Sequence, residues 1–352
     1  MTHVIVTVTP NPALDMTWVA DSVQAGGSHR VDAGRARAGG KGINVARVAH
    51  AEGYPVVAVT TSGGAVGAEF AAELRDSGVP HTLVPVAAQT RRSIAVFDES
   101  VSDTMIFNER GETPTGPEWT ALVAAVTAAL DATAGADTGA DADAGADAAA
   151  GALVISGSMP PGIGEAELQQ LMAPAIARGV PVIVDTSGPL LLAAARAGAS
   201  LLKPNREELA AATGIAEPMA GIAALCALGA GAVLCSLGSE GMLLASATDP
   251  AERSGQRARR AKLDTPLHGN PTGAGDAGVA AAATLAAEGV SLGDSRVLRR
   301  ATAWSAAAVL MPIAGEISPR HEALERELVL DTVTPADLAA PAHHRSTEGA
   351  PA

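Results

Sequence analysis

Short runs of β-branched and aliphatic residues recur along the chain, separated by longer stretches in which apolar residues return every three or four positions. Val4–Val8, Val56–Thr60, Ala152–Ser156, Val180–Asp185, Ser200–Lys203 and Ala232–Ser236 read as strands, each apolar enough to be covered on both faces. Between them, Val66, Phe70 and Leu74 fall at i, i+4 and i+8, with Gly78 just past the end of that helix. Leu168, Leu171, Met172, Ala175 and Ile176 share one helical face ahead of Gly179. Apolar strands alternating with such helices predict an α/β fold with a mainly parallel sheet sandwiched between helices.

Four stretches break this rhythm. Asp15 to Ala38 and Arg92–Phe107 carry strand-like alternation (Ile94, Val96, then Met105 and Phe107 around a polar DESVSD turn), which predicts extra strands forming a small β-lid. Residues 131–151 consist only of Asp, Ala, Thr and Gly and read as a flexible surface insertion. The last stretch, from about residue 331 to 352, is rich in Pro, Ala, His and Thr and reads as a disordered tail after one large domain spanning 1–330.

Composition narrows the chemistry. Apolar residues make up 47% of the 352, yet only seven are aromatic, so the core must be aliphatic and its helices closely packed. The formal net charge is −14, with five of the acids inside the 131–151 insertion. An acidic surface repels polyanions, which argues against nucleic acid or an anionic membrane as a bulk partner, and a phosphate-bearing ligand would need a local cluster of donors. Two cysteines, Cys226 and Cys235, cannot form a disulfide framework and have no zinc-ligand spacing. The expectation is a cytoplasmic protein with buried thiols, without a leader or a membrane-spanning run.

Ligands of a parallel sheet sit beyond the carboxyl ends of its strands. There this chain places Asn11 and Asp15, Gly157–Gly162, Asp185, Lys203-Pro-Asn205, and Ser236-Leu-Gly238. Two glycine motifs go further than polar loops require. Gly39-Gly40-Lys41-Gly42-Ile43-Asn44 opens a helix, so backbone amides and a mobile ammonium can meet an anion. It is not a Walker A loop, since Gly42 follows Lys41 and position 35 is arginine. Gly273-Ala274-Gly275-Asp276 opens an alanine-rich helix whose free amides can cradle a phosphoryl group beside a carboxylate able to take a proton. Gly273–Gly278 also fits GxGxxG, but the turn-like LDTPLHGNPT precedes it in place of a strand, which argues against dinucleotide binding. Asn205 and Glu208 form an NxxE spacing; capping explains it alone, and a magnesium ion held through water is the alternative.

Together NPALD at 11–15, GGKGINVARV at 39–48, SGSMPPG at 156–162, KPNREEL at 203–209, SLGSEG at 236–241 and GAGD at 273–276 resemble the ribokinase-like (PfkB) carbohydrate kinases, in the order in which that family carries them. The likeness runs from about residue 4 to 328 and is strongest to the sugar-phosphate branch that holds 1-phosphofructokinase and tagatose-6-phosphate kinase. It implies a ribokinase-like three-layer sandwich with a β-lid, ATP as co-substrate with Mg2+, and a homodimer formed through the lid. The implied acceptor is a ketohexose phosphate, fructose 1-phosphate first, then tagatose 6-phosphate or fructose 6-phosphate. It implies Asp276 as general base, with Gly273, Ala274 and Gly275 as the anion hole. Asp15, Gly40 and Asn44 would hold sugar hydroxyls, and Lys41, Arg91 and Arg30 would lie near the sugar's phosphate. Lys203, Asn205, Ser236, Gly238 and Gly241 would face ATP, with Glu208 and Asn205 toward the metal. Two positions depart from the family pattern: Glu112, where the branch often has a Gly-Pro pair after its NE, and Gly278, smaller than usual.

Rival readings remain distinguishable. An unphosphorylated sugar or nucleoside is compatible with GGKG but leaves Arg91 and Lys41 unexplained. A non-catalytic sugar- or nucleotide-binding regulator would have no need of Asp276 within an intact GAGD. A dehydrogenase would require nicotinamide binding.

Overall fold

A computed structural model describes residues 3–101, 103–135 and 151–339. The strands, in chain order, are β1 (Ile5–Thr9), β2 (Ala13–Ala20), β3 (Arg35–Gly39), β4 (Val56–Ser62), β5 (His81–Pro85), β6 (Arg91–Asp98), β7 (Asp103–Asn108), β8 (Ala152–Ser156), β9 (Val182–Asp185), β10 (Leu201–Leu202), β11 (Ala232–Ser236), β12 (Met242–Ser246), β13 (Ala258–Lys262) and β14 (Val329–Val333). Ten of them make one sheet in the order β14-β13-β12-β11-β10-β9-β8-β1-β4-β5. From β5 to β11 every pairing is parallel, so these seven strands point their carboxyl ends to one edge. Beyond β11 the sheet continues antiparallel through β12, β13 and β14.

The strands predicted from apolar runs are the central ones, where both faces are covered. β1, β8 and β9 are buried at every position. The antiparallel extension was not foreseen. β13 reads ARRAK, with Ala258 and Ala261 buried and the arginines between them half-buried, so its face carries too few aliphatics to register as a strand. β14 corrects the expected tail: it pairs with β13 from Val329 to Val333, and the short helix Pro335–Ala339 follows, capped where Asp337 accepts from Thr334 N at 2.7 Å. Residues 340–352 lie outside the described residues, as do 136–150 of the expected insertion. Residues 131–135 instead complete the helix Gly116–Gly135, and Asp131 accepts from Arg178 Nε at 2.9 Å.

Two aliphatic layers flank the sheet. One gathers around the helices Lys41–Ala51, Ala274–Ala287 and Ser295–Val309; the other around Gly116–Gly135, Glu165–Ala177, Pro189–Arg196 and Pro218–Leu228. Burial removes apolar surface from water at roughly 25 cal/mol per Å², and small side chains let helices approach closely enough to exclude it. The helix Ala274–Ala287 shows this: every residue from Asp276 to Ala287 is buried. The departure at Gly278 has the same cause, because a Cβ there would meet Ser305 Oγ at 2.7 Å, and that hydroxyl is donating to Ala274 O at 2.6 Å. Leu168, Leu171, Met172 and Ala175 are buried as their spacing predicts, but Ile176 is 45% exposed, at the edge of the stripe. Cys226 and Cys235 are buried, and burial pushes their thiols up to about 11 and about 12.

The second sheet, β3-β2-β6-β7, stands over the carboxyl edge of the first as the lid. β2 and β6 run parallel, Ala13 opposite Arg91 and Asp15 opposite Ser93, which sets Asp15 and Arg91 at the sheet's base. Among the described residues no single helix is long and apolar enough to cross a membrane.

Candidate active site

The carboxyl edge of the parallel strands, the lid and the start of the helix Ala274–Ala287 enclose a cleft of about 1400 Å³. Asp15, Gly40, Lys41, Asn44, Arg91, Lys203, Asn205, Glu208, Ser236, Gly238, Gly241 and the four residues of GAGD all line it. Arg30 does not. It sits exposed in the connection between β2 and β3 and is not among the residues lining the cleft, so the structure does not bring it to the sugar-phosphate position that the resemblance implied.

Gly273 has φ +84, the left-handed region that an L side chain adopts only at a cost, and a Cβ there would meet Ala314 at 2.8 Å. That turn opens the helix: Ala274 N donates back to Pro271 O at 3.1 Å, and among the described residues the amides of Gly275 and Asp276 are left without a backbone acceptor at the cleft. Asp276 lies in this first turn, 5% exposed. Its Oδ2 accepts a hydrogen bond from Asn44 Nδ2 at 2.8 Å. Burial pushes its carboxyl up to about 7; Lys41 opposes this, Asp185 reinforces it, and the Asn44 bond and Lys203 oppose it further. A carboxylate with that proton affinity can take a proton near neutral pH and give it up again.

Asp185, which sequence reasoning noted only as a strand end, is the floor of the site. It is fully buried at the carboxyl end of β9. Lys41 Nζ lies 3.2 Å from its Oδ2 and 3.4 Å from its Oδ1, Lys203 Nζ lies 3.9 Å from Oδ1, and Ser156 Oγ donates to Oδ2 at 3.0 Å. Burial alone would raise Asp185, but Lys41, Lys203 and these hydrogen bonds hold it below the ordinary carboxylate range. Lys41 in turn is held well above its ordinary value, first by Asp185 and then, against burial, by Asp276 and Glu208. Lys41 therefore stands among three acids, Asp185, Asp276 and Glu208, at the carboxyl edge of the parallel strands. The signal for Asp185 was its place at the end of a central strand; nothing local distinguishes it from a polar loop residue.

Asn205 and Glu208 form a reciprocal capping box: Asn205 Oδ1 accepts from Glu208 N at 2.7 Å, and Glu208 Oε2 accepts from Asn205 N at 3.0 Å. The capping explanation of NxxE holds. Glu208 Oε1 remains free of the box and lies 3.8 Å from Lys41 Nζ. Among the described residues no group of three or more His, Cys, Asp or Glu side chains gathers to hold a metal.

At the lid, Asp15 is pushed up to about 6 by burial, against the pull of Arg91, Arg37 and Arg47. Arg91 donates from Nε to Asn11 O at 3.2 Å and from Nη1 to Glu109 O at 3.1 Å. Asn11 Nδ2 contacts Ser158 Oγ at 3.3 Å. Asn11, Ser158 and Arg110 line the same cleft; sequence reasoning placed Asn11 and the 157–162 turn at the sheet edge without giving them a role, and did not single out Arg110.

The model of the pfkB family of carbohydrate kinases matches residues 12–320. A 1-phosphofructokinase of Xanthomonas campestris is 35% identical over 325 residues, 89% of this chain and 93% of that protein. An ATP-dependent 6-phosphofructokinase isozyme 2 of Mycobacterium tuberculosis is 35% identical over 315 residues, 88% of this chain and 84% of that one. Phosphofructokinase-2 from Escherichia coli, solved in complex with fructose-6-phosphate, superposes with a TM-score of 0.76 at 29% identity, covering 93% of this chain and 98% of that one.

Proposed function

The chain belongs to the pfkB family of carbohydrate kinases, and on that footing we propose that it transfers the γ-phosphoryl of ATP to the free primary hydroxyl of fructose 1-phosphate, giving fructose 1,6-bisphosphate. The observation that carries this reading is Asp276, buried in the first turn of the glycine-led helix with a proton affinity of about 7, at the point where the lid side and the phosphoryl side of one cleft meet. Tagatose 6-phosphate and fructose 6-phosphate share the primary hydroxyl and the single phosphate and are the alternative acceptors within the same reading. Exposed apolar residues on both faces of the lid, Val19 51% and Ile106 48% on one and Met105 41% and Phe107 61% on the other, support assembly as a homodimer. We read the enzyme as cytoplasmic.

The step is an in-line displacement. The acceptor oxygen forms the new P–O bond, the bond between the γ-phosphorus and the β–γ bridging oxygen breaks, and ADP leaves with that electron pair. Asp276 takes the hydroxyl proton, and Asn44 keeps its carboxylate turned toward the acceptor. The amides of Gly275 and Asp276 face the charge that builds on the phosphoryl oxygens. Asp185 is not itself a base, since two lysines hold it ionised; it holds Lys41 and Lys203 beside the phosphoryl path. Asp15 orients the sugar, and closure of the lid excludes water as a competing acceptor.

The donor set fits magnesium arriving with ATP. Magnesium keeps several waters and takes one or two carboxylates plus phosphate oxygens. Glu208 Oε1, outside the capping box and 3.8 Å from Lys41 Nζ, is the oxygen that would meet it, with Asn205 beside it, and the ion would neutralise phosphate charge. The test is ADP release from ATP with magnesium against fructose 1-phosphate, fructose 6-phosphate, tagatose 6-phosphate, fructose and ribose. Strong turnover with fructose 1-phosphate is the expected result. Turnover confined to free sugars would sink the phosphate reading, and silence throughout, with ATP still bound, would favour a binding protein.

A further inference from the structure

The cations that line the cleft divide into two kinds. Lys41 and Lys203 are paired with Asp185, and Arg206 with Glu240. Among the described residues Arg91 has no carboxylate within ion-pair distance, and it donates to two backbone carbonyls. Arg110 is exposed, lines the same cleft, and its guanidinium has no hydrogen-bond or ion-pair partner among the described residues.

The backbone around Arg110 is nonetheless tied down. Arg110 O accepts from Asn11 Nδ2 at 3.1 Å, the same amide that reaches Ser158 Oγ. Glu109 O accepts from Arg91 Nη1, and the Glu109 carboxylate accepts from Arg92 N at 2.7 Å, on the strand. Gly111, at φ +81, presses so closely on Asn11 that a Cβ there would lie 2.6 Å from its Oδ1. Arg91, Asn11 and the 109–111 turn are therefore one knot, and from it projects a guanidinium with nothing to bind.

An acidic chain must meet a dianionic substrate with charges that are not already compensated. Lys41 is already engaged, its ammonium shared between Asp185 and Glu208. We propose that Arg110 is a second phosphate-binding arginine, closing with Arg91 on the phosphate of the sugar and setting the preference for a phosphorylated ketose. This rests on the kinase reading above. Two guanidinium forks can each offer a planar pair of donors to one phosphate, which a paired lysine cannot.

The experiment is steady-state kinetics of Arg110→Ala and Arg110→Lys with fructose 1-phosphate and ATP, at low and high ionic strength. Arg110→Ala should raise KM for fructose 1-phosphate about 10-fold or more, the scale of one charge-assisted contact, while KM for ATP holds. The gap from wild type should narrow as salt is added, and Arg110→Lys should recover part of it. A wild-type enzyme that uses fructose 1-phosphate while Arg110→Ala leaves its KM unchanged, or shifts both KM values alike, overturns the inference alone. A wild-type enzyme that uses only free sugars overturns the kinase reading and this inference together.

Discussion

The two ends of the cleft treat positive charge in opposite ways. Beside the helix Ala274–Ala287, each lysine stands against a buried carboxylate: Asp185 takes Lys41 and Lys203, and Glu208 shares Lys41. At the lid, Arg91 leans on carbonyl oxygens and Arg110 on nothing. The acids at the first of these ends differ as well: Asp185, between two ammonium groups, is held below its ordinary range, whereas burial raises Asp276 to about 7 against the pull of the same lysines. Compensated charge fixes geometry without attracting anions strongly; uncompensated charge attracts them but leaves geometry to the ligand. A phosphoryl-transfer end needs the first, and an end that selects a phosphorylated sugar needs the second.

Three substitutions would break or sharpen that contrast. The largest effect belongs to Asp276→Asn. Removing a general base lowers kcat by roughly 10²–10⁴-fold, and ATP binding, measured calorimetrically, should survive; near-normal turnover would end the base assignment. The sign of its stability effect is also fixed. Asp276 has its folded proton affinity raised from 3.8 to about 7. The stability that accompanies its protonation is complete below pH 3.8 and is lost as pH rises through about 7. The asparagine variant should therefore melt higher than wild type, with the advantage larger at pH 8 than at pH 5. Next comes Arg91→Ala, expected to raise KM for fructose 1-phosphate by about 10-fold or more with KM for ATP little changed. An equal rise in both would move Arg91 out of the sugar end. The smallest effect is a displacement in pH. Productive Asp276 is ionised, so kcat/KM should rise through an acid limb near pH 7. Lys41 lowers the proton affinity of Asp276, so Lys41→Met should move that limb to higher pH. If KM for the ketose phosphate rose in Lys41→Met as it does in Arg91→Ala, Lys41 would belong to the sugar end after all.

Much of this was legible in the chain. Six of the seven parallel strands follow from runs such as IVTVT and ALVIS, because a strand covered on both faces must be apolar throughout; β5, at the edge with only Val84 buried, did not announce itself. GGKG and GAGD were legible because positive φ and close approach leave few residue types but glycine. β13 was not, since this strand near the sheet edge buries only Ala258 and Ala261 and carries two half-buried arginines between them. Arg30 looked like a phosphate ligand by its motif neighbourhood, and the exposed course of its loop was not written in that neighbourhood.

By itself, then, the sequence determined the layered α/β architecture, the cleft's edge and the two glycine turns that shape it, since each depends on local burial or local backbone freedom. Only the tertiary structure decided which charge answers which. Lys41 meets Asp185 across 144 positions, and Asn44 meets Asp276 across 232. Electrostatic roles depend on distance in space and on exclusion of water, and neither quantity exists until the chain has folded.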